Sequence, residues 1–357
     1  MSLYHHLWLR DNCPQLADPV TGHRIVDTAT IPADCRPSAV DVVDADALSV
    51  TWGGDAHVST YPGEWLAAHD YSTGARATRR QPVLWDASAA DTIPRAAYPD
   101  VAADPACRRA FLAGFARYGL GLLSDVPCVP GTVLEVGGLF GEVRTTSWGK
   151  VFDVRSTADA NSLAYTNLPL VAHTDEAYRD PVPTVQLQHV LRADAAGGAS
   201  TLVDGFQLAA DLRRDDAEAF GLLSTTVLRF WFADAATELV CDAPVIDRYP
   251  DGEVRAIRFS NHSAAPVLLP FDDMEPFYAA YRAFGAMREQ ACYQLELAMG
   301  PGDLHMVDNR RVLHGRTGFS AAGSRHLQSC YIERDELTSR LAVLSRQLGA
   351  ADQATDS

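Results

Sequence analysis

Basic residues are scarce in this chain. Lys and Arg number 30 against 46 Asp and Glu, a net charge of −16. That balance repels a phosphate backbone, and no basic stripe interrupts it, so nucleic acid is not an expected partner. Long apolar runs are missing as well. Gly119–Leu123 and Pro266–Pro270 are among the longest, far short of the ~20 residues a membrane span needs. Met1–Arg10 has no basic stretch leading into an apolar one, so neither a secretory signal nor a membrane partner is expected. Cysteine is sparse: 7 residues, scattered at 13, 35, 107, 128, 241, 292 and 330. An odd, dispersed set does not suggest a disulfide framework, and a reducing cytoplasm is the simplest home. The remainder, 357 residues with 47% hydrophobic and 21% charged, is the composition of a globular protein with a buried core. At roughly 150 residues per domain the length suggests about two domains.

Residues 1–75 read as a small α+β domain. Ala39–Trp52 is rich in strand formers, Gly53-Gly54 supplies a turn, and Val58–Tyr61 is extended again, which together signal a hairpin. Glu64–His69 reads as a short helix. Residues 76–96, without periodicity and rich in small residues and proline, are expected to be a linker. Asp104–Tyr118 then spaces Cys107, Phe111 and Phe115 on one helical face, with Asp104 as N-cap and Pro105 at the first helical position. Gly119–Asp125 reads as a buried strand. Thr132–Leu139 reads as a helix start, with Thr132 and Glu135 at capping-box spacing.

From about residue 160 short strands dominate: Thr184–Val190, Ser200–Val203, Val227–Phe232, Ala256–Phe259, Gln294–Leu297, Leu304–Asp308 and His326–Ile332. Helices at Phe206–Arg214, Ala217–Leu223 and Met274–Arg288 interrupt them. This order predicts a mainly β domain over 97–345, a sandwich or barrel with inserted helices rather than βαβ repeats. The polar end, 346–357, is expected to be disordered.

The sharpest chemical feature is His173-Thr174-Asp175. On an extended segment an H-x-D places imidazole and carboxylate on the same side. With a further histidine they form a facial triad with open positions, a set suited to Fe(II) and dioxygen chemistry. An isolated H-x-D also occurs by accident on surfaces. His314 is a candidate third ligand, because the segment 304–316 delivers it from buried context; a core histidine bonded to backbone is the plainer reading. Arg325 comes eleven positions later and leads into a strand. A guanidinium entering a β core needs an anion, since an unpaired buried charge is costly. A bidentate carboxylate answers that need, either from a dicarboxylic cosubstrate or from an ordinary Asp or Glu.

His173-x-Asp175, His314 and Arg325, in that order and spacing, resemble the Fe(II)/2-oxoglutarate-dependent oxygenases of the taurine-dioxygenase-like superfamily. The resemblance extends to Leu7-Trp8-Leu9-Arg10-Asp11-Asn12-Cys13-Pro14, Asp159-Ala160-Asn161-Ser162-Leu163-Ala164-Tyr165-Thr166, Val203-Asp204-Gly205-Phe206, Asp308-Asn309-Arg310-Arg311-Val312-Leu313-His314-Gly315-Arg316, Ser324-Arg325-His326-Leu327 and Ser339-Arg340-Leu341. These look like the γ-butyrobetaine hydroxylase and trimethyllysine hydroxylase group, over residues 7 to 345. The resemblance implies a double-stranded β-helix (jelly-roll) catalytic domain behind the small N-terminal domain, and a homodimer. It implies Fe(II) on His173, Asp175 and His314. It implies 2-oxoglutarate as cosubstrate, its far carboxylate on Arg325, with Ser200 and Arg316 also in its site. O2 then drives decarboxylation to succinate and hydrogen abstraction from the substrate. The retained Asp175 implies hydroxylation or another hydrogen-abstraction outcome, because halogenating relatives lack this carboxylate. A Zn hydrolase using the same triad has no use for Arg325, and a non-catalytic jelly roll would be expected to lose a ligand.

Two departures from the group stand out. Its zinc site uses three cysteines and a histidine, and only Cys13 and His57 match here; zinc is therefore not expected, and Trp8, Val42, Trp52 and Trp65 are expected to hold the N-terminal domain together. The positions matching the group's cation cage are all aromatic: Trp148, Phe152, Tyr165 and Tyr331. Rings suit a trimethylammonium group, whose diffuse charge offers no hydrogen-bond donor. The positions expected to read the substrate's other end, Ser162, Glu176 and Asn261, differ from the group's residues. Glu176 would repel an anion unless it is paired, with Arg179 as a nearby partner. The expected substrate is a small cationic or zwitterionic quaternary ammonium compound such as γ-butyrobetaine. The alternative is a trimethylammonio-alkylphosphonate or another natural-product precursor, with Lys150 a further candidate for its oxygens and desaturation or rearrangement as further outcomes.

Overall fold

The computed structural model describes residues 2–43, 46–79, 82–155, 166–320 and 323–355. The chain divides into two compact units, 1–81 and 82–357. In the first, α1 (His6–Asp11) precedes a three-stranded antiparallel sheet of β1 (Pro37–Val43), β2 (Ala47–Trp52) and β3 (Val58–Pro62), and α2 (Gly63–Ala68) and α3 (Thr73–Arg79) follow. Leu9, Val50, Trp52 and Tyr61 fill its core. The two largest of these satisfy their polar ends: the Trp52 indole donates to Ser59 Oγ at 2.8 Å, and the Tyr61 hydroxyl donates to the Leu9 carbonyl at 2.6 Å.

Three expectations for this unit need correction. The stretch 39–52 is two paired strands rather than one. Val42 lies on the solvent side of the edge strand β1 and is 75% exposed, so it does not join the core; Trp8 and Trp65 pack at its margin. The expected linker also begins inside α3, and it ends inside the second unit. There Trp85 and Ile93 are buried and 87–91 form a 3-10 turn. The small, polar composition of 76–96 hid two apolar anchors. Cys13 Sγ lies 3.3 Å from His57 Nε2 and donates to Gln15 Oε1 at 3.1 Å, so glutamine oxygen is the third member of that cluster.

The second unit opens with β4 (Arg95–Ala97), α4 (Tyr98–Ala103), α5 (Pro105–Tyr118) and β5 (Leu120–Ser124). Asp104 caps α5 as its sequence predicts, accepting from the Ala106 and Cys107 N–H groups, and Gly119 ends it at φ 68°. Next come α6 (Thr132–Phe140), β6 (Val143–Arg144), β7 (Phe152–Arg155), β8 (Leu170–His173), β9 (Val185–Ala193) and β10 (Ser200–Asp204). Gly131, not Thr132, is the N-cap of α6, and no side chain caps it; the Gly131 N–H donates to Gln328 Oε1 at 2.7 Å instead. The helices α7 (Gly205–Asp215) and α8 (Ala217–Thr225) lead into two hairpins, β11 (Leu228–Ala233) with β12 (Glu238–Ala243), and β13 (Ile246–Arg248) with β14 (Val254–Ile257). After α9 (Phe271–Arg288) follow β15 (Leu295–Leu297), β16 (Leu304–Asp308), β17 (Val312–Arg316), β18 (Arg325–Ile332) and α10 (Arg334–Thr355). The last helix runs through most of the segment expected to be disordered.

The strands form a double-stranded β-helix. The larger sheet has the order β4-β5-β16-β9-β18-β6 with β7 also on β18; the smaller is β15-β10-β17-β8. β9, β10, β16 and β18 are buried along most of their length; β10 and β16 read as mainly apolar runs, whereas β9 and β18 intersperse polar residues among the apolar ones. A buried ion pair ties β10 to the start of β17. Arg311 forks onto Asp204 at 2.9 and 2.7 Å and also donates to the Arg117 and Val83 carbonyls.

Candidate active site

His173 ends β8, and His314 sits opposite it on β17 in the smaller sheet. Asp175 follows two residues after His173, and the three ligating atoms lie within 4.8 Å of one another. His173 Nε2 is 3.2 Å from Asp175 Oδ1, and His314 Nε2 is 3.4 Å from Oδ2. The His173 Nδ1 lies 2.9 Å from the Val171 carbonyl, which fixes the ring and turns Nε2 to the centre. Asn309 holds the Asp175 backbone from both sides: its Oδ1 accepts the Asp175 N–H at 2.7 Å and its Nδ2 donates to the Asp175 carbonyl at 3.0 Å. Burial works to raise the Asp175 pKa, but the His314 and His173 rings outweigh it and hold the carboxylate well below the usual range. Two imidazole nitrogens and one carboxylate oxygen, convergent and within 4.8 Å of one another, fit a divalent transition metal such as iron.

The triad opens into a cavity of about 360 Å³ between the two sheets. Arg316 and Arg325 line one part of it. No carboxylate pairs with Arg325 among the described residues; burial and the neighbouring Arg316 push it down to about 10, so it stays cationic at neutral pH. Among the described residues, therefore, Arg325 does not make the ordinary ion pair that the sequence left open. Arg316 donates to the Thr166 and Leu168 carbonyls. Trp148, Phe152, Glu176 and Tyr331 line the cavity as well. The Phe152 and Tyr331 rings stand 5.4 Å apart between centroids. Tyr331 donates its hydroxyl to Asp175 Oδ2 at 2.7 Å. Burial and the Asp175 and Glu176 carboxylates keep that phenol protonated, its pKa well above the ordinary value.

Glu176 has a left-handed backbone, φ 47°, and its carboxylate pairs with Arg179. Burial still raises it to about 7 against the pull of Arg179. Two expected residues do not reach the cavity. Ser200 is buried on β10, where its hydroxyl donates toward Met299 Sδ at 3.8 Å. Asn261 is exposed and accepts from the Tyr281 hydroxyl at 2.7 Å. It opens the 3-10 turn Asn261–Ser263, and that turn presents His262 and Ser263 to the cavity in its place. Lys150 is exposed. Ser162 and Tyr165 lie outside the described residues.

Several lining residues were not anticipated. Gln186 and Gln188 alternate with Val185 and Leu187 on β9, and polar residues at period two in a doubly covered strand signal an inward face. Tyr178, Trp231 and Phe232 add an aromatic wall, Tyr178 stacking on Phe232 at 4.9 Å. Nothing local in the sequence marks these three as neighbours, because the β11–β12 hairpin folds over from a distance of more than fifty residues.

Residues 81–331 match the family model described as taurine catabolism dioxygenase TauD, TfdA family. The chain belongs to the TauD/TfdA dioxygenase family. Residues 1–67 match a second model, gamma-butyrobetaine hydroxylase-like, N-terminal. The gamma-butyrobetaine dioxygenase of Pseudomonas sp. (strain AK-1) is 38% identical, covering 97% of this chain and 91% of that protein. The gamma-butyrobetaine dioxygenase of Homo sapiens is 29% identical, covering 97% and 92%. The trimethyllysine dioxygenase of Gallus gallus is 29% identical, covering 96% and 84%. Among solved structures, an asparagine oxygenase superposes with TM-score 0.51 at 22% identity, over 66% of this chain and 81% of that one. The non-heme iron oxygenase OrfP does so with TM-score 0.50 at 18% identity, over 72% and 87%. These two likenesses are of fold. As a TauD/TfdA dioxygenase, this chain keeps its His-Asp-His triad at the meeting of β8 and β17. Its described helices include none long and apolar enough to cross a membrane.

Proposed function

We propose that this dioxygenase hydroxylates a small zwitterion bearing a quaternary ammonium group, with γ-butyrobetaine the first candidate, while 2-oxoglutarate is converted to succinate. The observation that carries the reading is the placement of Trp148, Phe152 and Tyr331 on the same cavity as the triad. Ring faces attract a trimethylammonium group by about 0.5–2 kcal/mol each once water is excluded. His173, Asp175 and His314 would hold Fe(II), which couples the oxidative decarboxylation of the cosubstrate by O2 to attack on a substrate C–H bond. Arg325 receives the distal carboxylate of 2-oxoglutarate, the anion that its own surroundings do not supply. Glu176 is already balanced by Arg179, so it does not bar an anionic group from the far end of the cavity. His262, whose ring lies 4.6 Å from that of His173, and Ser263 are polar groups on the cavity wall beside the triad. A cytoplasmic homodimer is the proposed working form; the seven free cysteines suit a reducing compartment.

Succinate formation with Fe(II), ascorbate and air tests the substrate. γ-Butyrobetaine is expected to stimulate it strongly and to yield one hydroxylated product per succinate. Stimulation by trimethylammonio-ethylphosphonate alone would mean that the far end of the cavity reads a phosphonate. Stimulation by neither compound would overturn the quaternary ammonium reading.

A further inference from the structure

The two carboxylate oxygens of Asp175 have different surroundings. Oδ2 accepts from the Tyr331 hydroxyl at 2.7 Å and from Gln186 Nε2. Oδ1 takes neither of these bonds and lies 3.2 Å from His173 Nε2. An ionised carboxylate offers about two lone-pair sites on each oxygen. Two donors therefore use the capacity of Oδ2, although it lies 3.4 Å from His314 Nε2, and leave that of Oδ1 intact. Neither donor can drift. Tyr331 is 3% exposed on β18 and Gln186 1% exposed on β9, and the two residues are directly paired across the larger sheet.

We infer that Tyr331 and Gln186 are positioning residues that hold Asp175 through Oδ2 and so make it a one-oxygen ligand through Oδ1. The consequence is a matter of coordination number. A carboxylate that chelates through both oxygens occupies two positions on a six-coordinate metal; one that binds through a single oxygen leaves three positions beyond the triad. Those three would accommodate a chelating cosubstrate and dioxygen together. By pairing β9 with β18, the larger sheet would leave a metal held by the triad with one more open position than a chelating carboxylate would allow. Tyr331 has two separable parts in this arrangement: its ring face belongs to the cavity wall and its hydroxyl to the metal ligand. Gln186 has only the second kind of contact with the carboxylate. This inference rests on the triad being the metal site.

The test is Co(II) binding to the metal-free full-length chain by calorimetry, at a temperature where near-ultraviolet circular dichroism shows each variant folded. Tyr331→Phe keeps the ring and removes the donor; Gln186→Leu removes the other. Loss of such a partner typically weakens metal affinity by 10–100-fold, and each variant is expected to bind Co(II) about tenfold more weakly, the double variant more weakly still. A purely structural role would lower thermal stability without moving the affinity of the folded protein. Should Tyr331→Phe not fold, Gln186→Leu alone decides. Affinities within twofold of wild type in the folded variants would overturn the positioning role. Absence of stoichiometric binding to wild type would overturn the metal site itself.

Discussion

Replacing Asp175 with alanine is expected to abolish turnover. The triad loses its only anionic ligand, and two neutral imidazoles remain to bind a dication. The loss should reach at least about 10³-fold in succinate formation, equivalent to about 4 kcal/mol of transition-state stabilisation. Folding should survive, because Asn309 grips the backbone rather than the side chain of residue 175. The variant should therefore elute and melt as a folded protein while taking up no stoichiometric iron. Turnover near the wild-type rate would refute the triad.

Arg325→Ala is expected to fail differently. In the free protein this guanidinium is buried beside Arg316 with no carboxylate partner among the described residues. Removing it relieves a desolvation cost, so the melting temperature should hold or rise. The cost appears only when 2-oxoglutarate binds, because its distal carboxylate then enters the cavity without a counter-charge. Truncating one partner of a buried, hydrogen-bonded charge pair costs about 2–5 kcal/mol. The KM for 2-oxoglutarate should rise by roughly 400-fold at the middle of that range, with metal binding unchanged. Steady-state kinetics over a wide cosubstrate range checks this, and an unaltered KM would remove Arg325 from the anchor role.

The placement of these two residues on one buried cavity was legible in the sequence for physical reasons. An H-x-D on an extended segment puts both ligands on one side, and an arginine entering a buried strand demands an anion. The jelly roll was legible through doubly covered strands such as β16, whose predicted and observed bounds coincide. What failed depended on local geometry that composition does not encode. Asn261 and His262 are adjacent, and a single 3-10 turn decides which of them meets the cavity. Val42 alternates as a core residue would, but it sits on an edge strand with no layer over that face. Thr132 has the spacing of a capping box, yet a left-handed Gly131 at φ 94° starts the helix without it. The segment 76–96 has the composition of a linker, and only tertiary packing of Trp85 and Ile93 makes its second half part of the catalytic unit. Gln186 is the instructive omission, since its alternation within β9 was visible and its partner, Asp175, was already singled out.

The most direct test of a cation-reading cavity is to compare γ-butyrobetaine with 5,5-dimethylhexanoate, its isostere in which a neutral carbon replaces the cationic nitrogen. Shape and carboxylate are the same, and only the positive charge differs. Attraction by two or three ring faces at about 0.5–2 kcal/mol each predicts a KM at least about fivefold lower for the charged compound. Equal KM values would contradict the assignment of Trp148, Phe152 and Tyr331 as a cage and leave them as ordinary apolar wall.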